Sequence, residues 1–366
     1  MTRDMIRHFA ADRLEQRLLI EGVMGLFDGT DGGSGSTVSV AEALQAPVML
    51  VLDASHQGQT AAALAAGIAT QLPAGVNLAG VVLNRIASPR HEELISAALA
   101  ERGIPLFGSL PANGDIEIPS RHLGLVQAAD LAASGVLEPI IDKAAELVAA
   151  HLDLGAIEAA FVGIAVPEAR PAILPPPGQR IAIARDAAFG FSYEHLMSSW
   201  RAAGAEIMNF SPLADEAPSS NADFIFLPGG YPELHLAELS GAAQLLGGLR
   251  AAAERGIRVY GECGGYMVLG DTIIDGKGTS YQMAGLLALE TSFAKRKLHL
   301  GYRRMTPLAQ AWPNLEPVTG HEFHYTSATR AEGDPLFAVS DAAGRDLGTM
   351  GLVQGSVAGS YAHIIA

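Results

Sequence analysis

The chain has 366 residues, 24 of them basic and 39 acidic, so its formal net charge is −15. This balance argues against a nucleic-acid-binding protein, because phosphate backbones are bound by basic surfaces. With 49% hydrophobic residues, 17% charged residues and one cysteine, the composition excludes a disordered chain and an intrachain disulfide framework. The length predicts about two domains. Without a leader-like N-terminus or an 18-residue apolar span, we expect a cytoplasmic protein.

The first half of the sequence alternates apolar runs with helix-like segments. We predict buried strands over 17–23, 47–53 and 78–84 and helices over 38–45 and 60–71. Such alternation is typical of βαβ units and predicts a parallel sheet, in which ligands bind beyond the carboxyl ends of the strands. Glu21, Asp53 and Asn84 each follow a predicted strand and are therefore candidate binding residues.

A proline-rich segment, residues 167–179, is the predicted linker, because prolines stiffen the chain and do not join helices or central strands. The fold class is therefore α/β with two domains, over 1–166 and 180–366. In the second domain, strands are predicted over 180–185, 205–210, 223–227 and 258–260, with a helix over 193–203.

The only cysteine, Cys263, lies in a glycine-rich turn between a predicted strand and a helix-like stretch. This setting is typical of a nucleophile elbow, and a helix N-terminus lowers a thiol pKa. The alternative is a small buried cysteine. The amides of the Pro228–Glu233 loop, with that of Gly264, suit an oxyanion hole. His363 follows a predicted strand, and a Cys–His pair is the minimal activated thiol.

Together these segments resemble class I glutamine amidotransferases, in the variant found in corrin-ring amidases. The supporting motifs are Pro228–Glu233, Gly261–Met267, 301–303, 320–325 and Gly359–His363. The segments 20–29 and 35–37 are similar to the ATP-dependent amidation domain of cobyrinic or hydrogenobyrinic acid a,c-diamide synthases, which has a P-loop, dethiobiotin-synthetase-like sheet. The resemblance spans nearly the whole chain in order.

The resemblance implies that Cys263 attacks the side-chain amide of glutamine, with His363 as the general base. It implies that amides near Gly230 and Gly264 hold the oxyanion. The first domain would phosphorylate a substrate carboxylate with ATP, and ammonia would displace the phosphate. Triad amidotransferases carry an acid shortly after the histidine, which this sequence lacks. Either a dyad suffices, or another acid such as Glu322 orients the imidazole.

Family members carry a P-loop ending in Gly-Lys-Thr or Gly-Lys-Ser, and this sequence has none. The expectation is that the sequence enters the first domain partway and binds ATP weakly or not at all. The glycine-rich run 29–37 is interpreted as a loop leading into a helix with Ser36 or Thr37 as its N-cap. Glu21 matches a family position for Mg²⁺, Asp28 a second acidic position, and Asn84 an adenine-contacting position.

Two further clusters have alternative interpretations. One is a basic cluster of Lys295, Arg296 and Lys297, with Arg303 and Arg304 nearby. It could attract a polycarboxylate substrate or form a solvated charged loop, and we favour the loop. His321, Glu322 and His324 lack further ligands at suitable spacing, so a metal site is rejected.

The leading hypothesis is a glutamine-dependent a,c-diamide synthase acting on small molecules, with ATP and Mg²⁺ and no nucleic-acid or membrane partner. A homodimer is the candidate assembly. The alternatives are a cobyric acid synthase-type amidase and a glutaminase or regulatory subunit without ATP chemistry.

Overall fold

The computed structural model describes residues 2–11, 17–30, 33, 35–118, 131, 135–163, 174–310, 312–313 and 315–366. These residues form two compact units, one within 3–29 and 33–171 and the other within 172–366 and the short stretches 1–2 and 30–32. Of the predicted linker, residues 167–173 lie outside the described residues. The functional division into 1–166 and 180–366 stays a prediction.

The first unit is built on a parallel sheet of three strands in the order β1-β2-β3. Alanines of α3 and aliphatic residues of α4 pack on this sheet and form its core. The described strands are β1 (Val48–Asp53), β2 (Leu78–Ile86) and β3 (Leu106–Pro111). The described helices are α1 (Arg3–Ala11), α2 (Thr37–Leu44), α3 (Thr60–Gln71), α4 (Pro89–Ala100), α5 (Leu137–His151) and α6 (Leu154–Ala159).

The predicted strands at 47–53 and 78–84 and both predicted helices are confirmed, with ends shifted by a few residues. Helix α2 begins after Ser36, whose Oγ accepts a hydrogen bond from the Ser39 amide at 3.3 Å. Ser36 is therefore the N-cap, and the neighbouring loop positions 31, 32 and 34 lie outside the described residues.

The predicted strand over 17–23 is wrong. Residues 17–22 have no regular secondary structure, and Leu19 and Ile20 are exposed. An apolar run becomes a strand only when a neighbour completes its hydrogen bonds. Among the described residues β1 pairs only with β2, so this run has no ladder to join.

The second unit contains a sheet of ten strands in the order β17-β12-β11-β14-β15-β16-β7-β6-β4-β5. The pairs from β16 to β5 are parallel, and the others are antiparallel. Only Tyr361 separates β16 from β17, which pair with different neighbours. Strands β16 and β17 are thus one bent strand, and it closes a ring with β15, β14, β11 and β12.

Helices and a second sheet cover the ten-stranded sheet, and apolar residues fill two cores. One core includes Leu245 and Leu249, and the other includes Trp200 and Trp312. The smaller sheet has the order β13-β10-β8-β9. The described helices are α7 (Glu194–Ala202), α8 (Leu236–Gly241), α9 (Ala243–Glu254) and α10 (Gly264–Leu269).

The first four strands of this unit, β4 to β7, confirm the four strands predicted over 180–260. The described strands of the unit are β4 (Arg180–Ala184), β5 (Glu206–Phe210), β6 (Phe224–Leu227), β7 (Arg258–Glu262), β8 (Thr272–Ile274), β9 (Ser280–Gln282), β10 (Ala288–Ser292), β11 (His299–Pro307), β12 (Val318–His324), β13 (Ser327–Glu332), β14 (Asp334–Ser340), β15 (Asp346–Gln354), β16 (Val357–Ser360) and β17 (Ala362–Ile364). In the part of the chain that is described, no helix has the length and apolarity needed to cross a lipid bilayer.

Candidate active site

Cys263 occupies a sharp turn between β7 and α10. Its φ of 45° and ψ of −103° are unusual for a residue with a side chain, and such strain is common at functional sites. The glycines around it make the turn sterically feasible. A Cβ on Gly265 would lie 2.0 Å from the Leu227 carbonyl oxygen. The structure therefore has the strand–elbow–helix geometry that the sequence predicts.

The thiol of Cys263 is buried, and burial raises its pKa to about 12. The negative charge of Glu233 adds to this effect, while a hydrogen bond from the Gly264 amide opposes it. The Gly264 amide at the start of the helix lowers the thiol pKa as expected, but the net shift is upward, so the expected depressed pKa is wrong. Desolvation outweighs the turn's dipoles in this enclosed position, so the resting sulfur is a neutral thiol.

The loop after β6 brings Gly229 and Gly230 beside the elbow. A Cβ on Gly264 would lie 3.1 Å from the Gly230 nitrogen, and a Cβ on Gly229 would lie 2.2 Å from Cε1 of His363. The two predicted oxyanion residues, Gly230 and Gly264, are thus neighbours. The histidine from the far end of the sequence lies against the same loop.

His363 is buried on β17, opposite His321 in the ladder with β12. The two imidazole rings stack in parallel with centroids 4.8 Å apart. Burial, reinforced by His321, lowers the pKa of His363 to about 3. The imidazole is therefore neutral at rest, as a general base must be. His321 in turn hydrogen-bonds the hydroxyl of Tyr193.

Glu322 does not orient His363. Its carboxylate pairs with Arg303, whose Nε donates to Oε2 at 2.8 Å, and with Nε2 of His324 at 2.8 Å. Adjacent residues of a strand point to opposite faces, so Glu322 lies away from His321 and its neighbour His363. The acid near His363 is Glu262, whose Oε2 lies 3.9 Å from its Nδ1.

One potential metal-ligand atom from each of His299, Glu322 and His324 lies within 4.8 Å of the other two. The sequence analysis did not include His299 in this cluster. The rings of His299 and His324 are stacked in parallel, 4.7 Å apart, so their nitrogen lone pairs do not converge on one point. The Glu322 carboxylate is already engaged by Arg303. Arg303, Glu322 and His324 thus form an ion-pair network, and the rejection of a metal site there stays a prediction.

Of the basic cluster, Lys295, Arg296 and Lys297 are exposed, whereas Arg303 is held by Glu322. Glu233, which the sequence analysis left without a role, lies close enough to Cys263 to raise its pKa. Burial raises the pKa of Glu233 itself to about 7. Its position at the end of the Pro228–Glu233 motif could have identified it.

In the first unit, Glu21 and Asp28 line one cavity of about 850 Å³. Most of its walls are apolar side chains, including residues of β1 and α2. Asn84 ends the ladder between β2 and β1, opposite Asp53, and is not among the cavity's lining residues. The structure therefore brings together two of the three predicted nucleotide-site residues.

Comparisons with known proteins assign a family domain to each of the two units. Residues 180–366 match the model of the CobB/CobQ-like glutamine amidotransferase domain, and residues 3–120 match that of an AAA domain. A hydrogenobyrinate a,c-diamide synthase from Brucella abortus is 50% identical over 351 residues, covering 95% of this chain and 79% of its own length.

Other relatives give the same picture. Hydrogenobyrinate a,c-diamide synthases from a Sinorhizobium species and from Rhodobacter capsulatus are 51% and 46% identical, each covering 95% of this chain and 80% of its own length. A glutamine amidotransferase structure from Thermotoga maritima matches at 15% identity and a TM-score of 0.34, covering 50% of this chain and 75% of that one. A score this low has no weight for function.

Proposed function

The chain belongs to the hydrogenobyrinate a,c-diamide synthase family, and we propose that it amidates the a and c carboxylates of hydrogenobyrinate with ammonia taken from glutamine. The proposed glutamine hydrolysis rests on one observation, the proximity of three segments of the chain. The Gly229–Gly230 loop lies against both the Cys263 elbow and His363, although the three segments are distant in sequence.

Glutamine hydrolysis follows from this arrangement. The thiol proton passes to His363 as Sγ attacks the side-chain carbonyl carbon, and the amides of Gly230 and Gly264 bind the resulting oxyanion. Collapse breaks the C–N bond, the proton leaves with the nitrogen as ammonia, and a glutamyl thioester remains. His363 then deprotonates a water molecule, which hydrolyses the thioester to glutamate and restores the thiol.

The first unit would supply the acceptor. A substrate carboxylate takes the terminal phosphoryl group of ATP to give an acyl phosphate, and ammonia then displaces phosphate to form the amide. Glu21 and Asp28 are exposed carboxylates on one cavity wall, which fits the few protein ligands that Mg²⁺ takes beside phosphate oxygens. These two residues would hold Mg²⁺, which would neutralise phosphate charge. The role of Asn84 at adenine stays a prediction.

The test of the glutaminase is the Cys263→Ser variant. We expect glutamine hydrolysis to fall by about 10³-fold or more, because the nucleophile is lost. Amidation supported by added ammonium chloride should persist at the wild-type rate, since the acceptor site is untouched. Glutamine hydrolysis that survives the substitution would contradict the assignment.

The alternative is a glutaminase without ATP chemistry. Calorimetric titration of the chain with ATP and Mg²⁺ distinguishes the two. The proposed synthase should bind ATP with Mg²⁺, and Glu21→Gln should weaken that binding, whereas no measurable binding by the wild type would favour the glutaminase. Tight binding that Glu21→Gln and Asp28→Asn leave unchanged would contradict the metal assignment.

A further inference from the structure

A wedge opens in the ten-stranded sheet where the bent strand leaves β7. Up to Ser360 this strand is paired with β7, and from Ala362 it is paired with β12. The side chain of Glu262, the last residue of β7, fills the wedge. Its Oε1 accepts a hydrogen bond from the Ile364 amide at 3.0 Å, as a neighbouring strand would. Glu262 is thus fixed between the nucleophile's strand and the histidine's strand.

The second oxygen of this carboxylate faces the imidazole. Oε2 of Glu262 lies 3.9 Å from Nδ1 of His363, and both side chains are 3% exposed. Within the described residues, that Nδ1 atom is buried and makes no hydrogen bond. A buried ring nitrogen without a partner is costly, and contacts of this kind are often long in the absence of substrate and shorten when it binds.

We propose that Glu262 is the positioning residue of His363 and completes a Cys–His–Glu site. This inference rests on the proposed thiol chemistry of Cys263. With Nδ1 directed at Glu262, Nε2 is the nitrogen left to take the thiol proton. A carboxylate at Nδ1 fixes that tautomer and stabilises the imidazolium formed during attack.

The titratable groups around Glu262 and His363 are neutral near pH 7 or already paired, so the charge of Glu262 itself decides the electrostatics at the imidazole. Tyr193, Tyr260 and Cys263 all have raised pKa values, so each is neutral near pH 7. On the β12 side, burial lowers the pKa of His321, which is neutral as well. His324 and Arg303 face Glu322, which balances charge on the other side of β12.

Burial raises the pKa of Glu262 to about 8. The productive carboxylate form therefore accumulates as pH rises toward that value, and activity should rise with it. A neutral Glu262 cannot stabilise an imidazolium, so the free enzyme's pH profile should have an acid limb that depends on this residue.

The experiment measures kcat and KM for glutamine hydrolysis from about pH 6 to about pH 10 in the full chain. Glu262→Gln keeps an oxygen acceptor for the Ile364 amide but removes the charge. We expect kcat to fall about 10- to 100-fold with KM changed less than about twofold, and the acid limb to disappear. Glu262→Asp retains the charge at shorter reach and should show intermediate kcat with the limb preserved.

Glu322→Gln is the matched comparison, because it alters a second buried carboxylate of the same unit that faces Arg303 and His324. Its pH profile should keep the wild-type shape. A Glu262→Gln profile identical to wild type would overturn the inference, as would loss of the limb in Glu322→Gln instead. If Glu262→Gln does not fold, a pH profile of Glu262→Asp that lacks the acid limb would likewise overturn the inference. Failure of the proposed function is distinct, since Cys263→Ser would then remain active.

Discussion

At the residue scale, the resting site stores no charge on its nucleophile or base. Burial raises the thiol pKa and lowers the imidazole pKa, so the pair is neutral rather than a thiolate–imidazolium pair. In the proposed reaction the proton would therefore move during attack on glutamine, when the Gly230 and Gly264 amides would meet developing negative charge. A neutral, buried thiol should react slowly with oxidants and alkylating agents.

This protonation state predicts how alkylation of Cys263 depends on pH. With a pKa of about 12, the thiolate fraction should grow about tenfold for each pH unit between roughly pH 7 and pH 9. Iodoacetamide incorporation followed by mass spectrometry should show that rise without a plateau. Cys263→Ser provides the blank, because the sequence has no second cysteine. A plateau below about pH 8 would indicate a preformed thiolate instead.

Residue chemistry was predictable from sequence where a local motif carries it. The elbow glycines and the loop Pro228–Glu233 identify themselves by composition, because only glycine allows such close backbone approach. Glu262 also had a local indication, as a charged residue ending an apolar strand. The contact between Glu262 and Nδ1 of His363 could not be inferred from sequence, since it depends on how the bent strand turns.

At the scale of elements, the loop after β6 is shaped around the histidine ring. Gly229→Ala would place a Cβ 2.2 Å from His363 Cε1. We expect the ring to be displaced and glutamine hydrolysis to fall about 100-fold, since small misplacements of catalytic groups cost that much. Steady-state kinetics would measure this loss.

Gly247→Ala is the control for that substitution. Gly247 lies within α9, and a Cβ there would meet nothing within 4 Å. Alanine should stabilise the helix by about 0.5–1 kcal/mol and leave glutamine hydrolysis unchanged. Equal losses in both variants would show that the first effect reflects general damage to the fold.

Element prediction succeeded where neighbours in sequence decide the outcome. Helix α3 and strands β1, β4 and β6 follow from periodicity and from glycine and proline boundaries. The prediction for the run 17–23 failed because its composition suits a strand while no described strand pairs with it. Hydrophobic composition alone did not predict the outcome for this run, since Leu19 and Ile20 are exposed and a strand forms only within a ladder.

At the scale of the whole molecule, the alternation of strands and helices predicted two α/β units, and the structure contains two compact units. The ring of five strands was beyond prediction. It requires β12 to pair with β17, about forty residues later, and a change of partner at Tyr361. Pairings this distant leave no periodic trace in the sequence.

The bent strand connects the proposed nucleophile, Cys263, and the proposed base, His363, to the same short stretch of backbone. The Cys263 amide donates to the Ser360 carbonyl at 2.8 Å, three residues before His363, and the Ile364 amide returns to Glu262. Such mutual bonding should make Val259–Cys263 and Val357–Ile364 open as one cooperative unit. In native-state hydrogen exchange, their amides should share one opening free energy near the top of the range, and exchange of one stretch well before the other would contradict it. Substrate could then enter and leave through surface loops while the spacing of sulfur and imidazole stays constant.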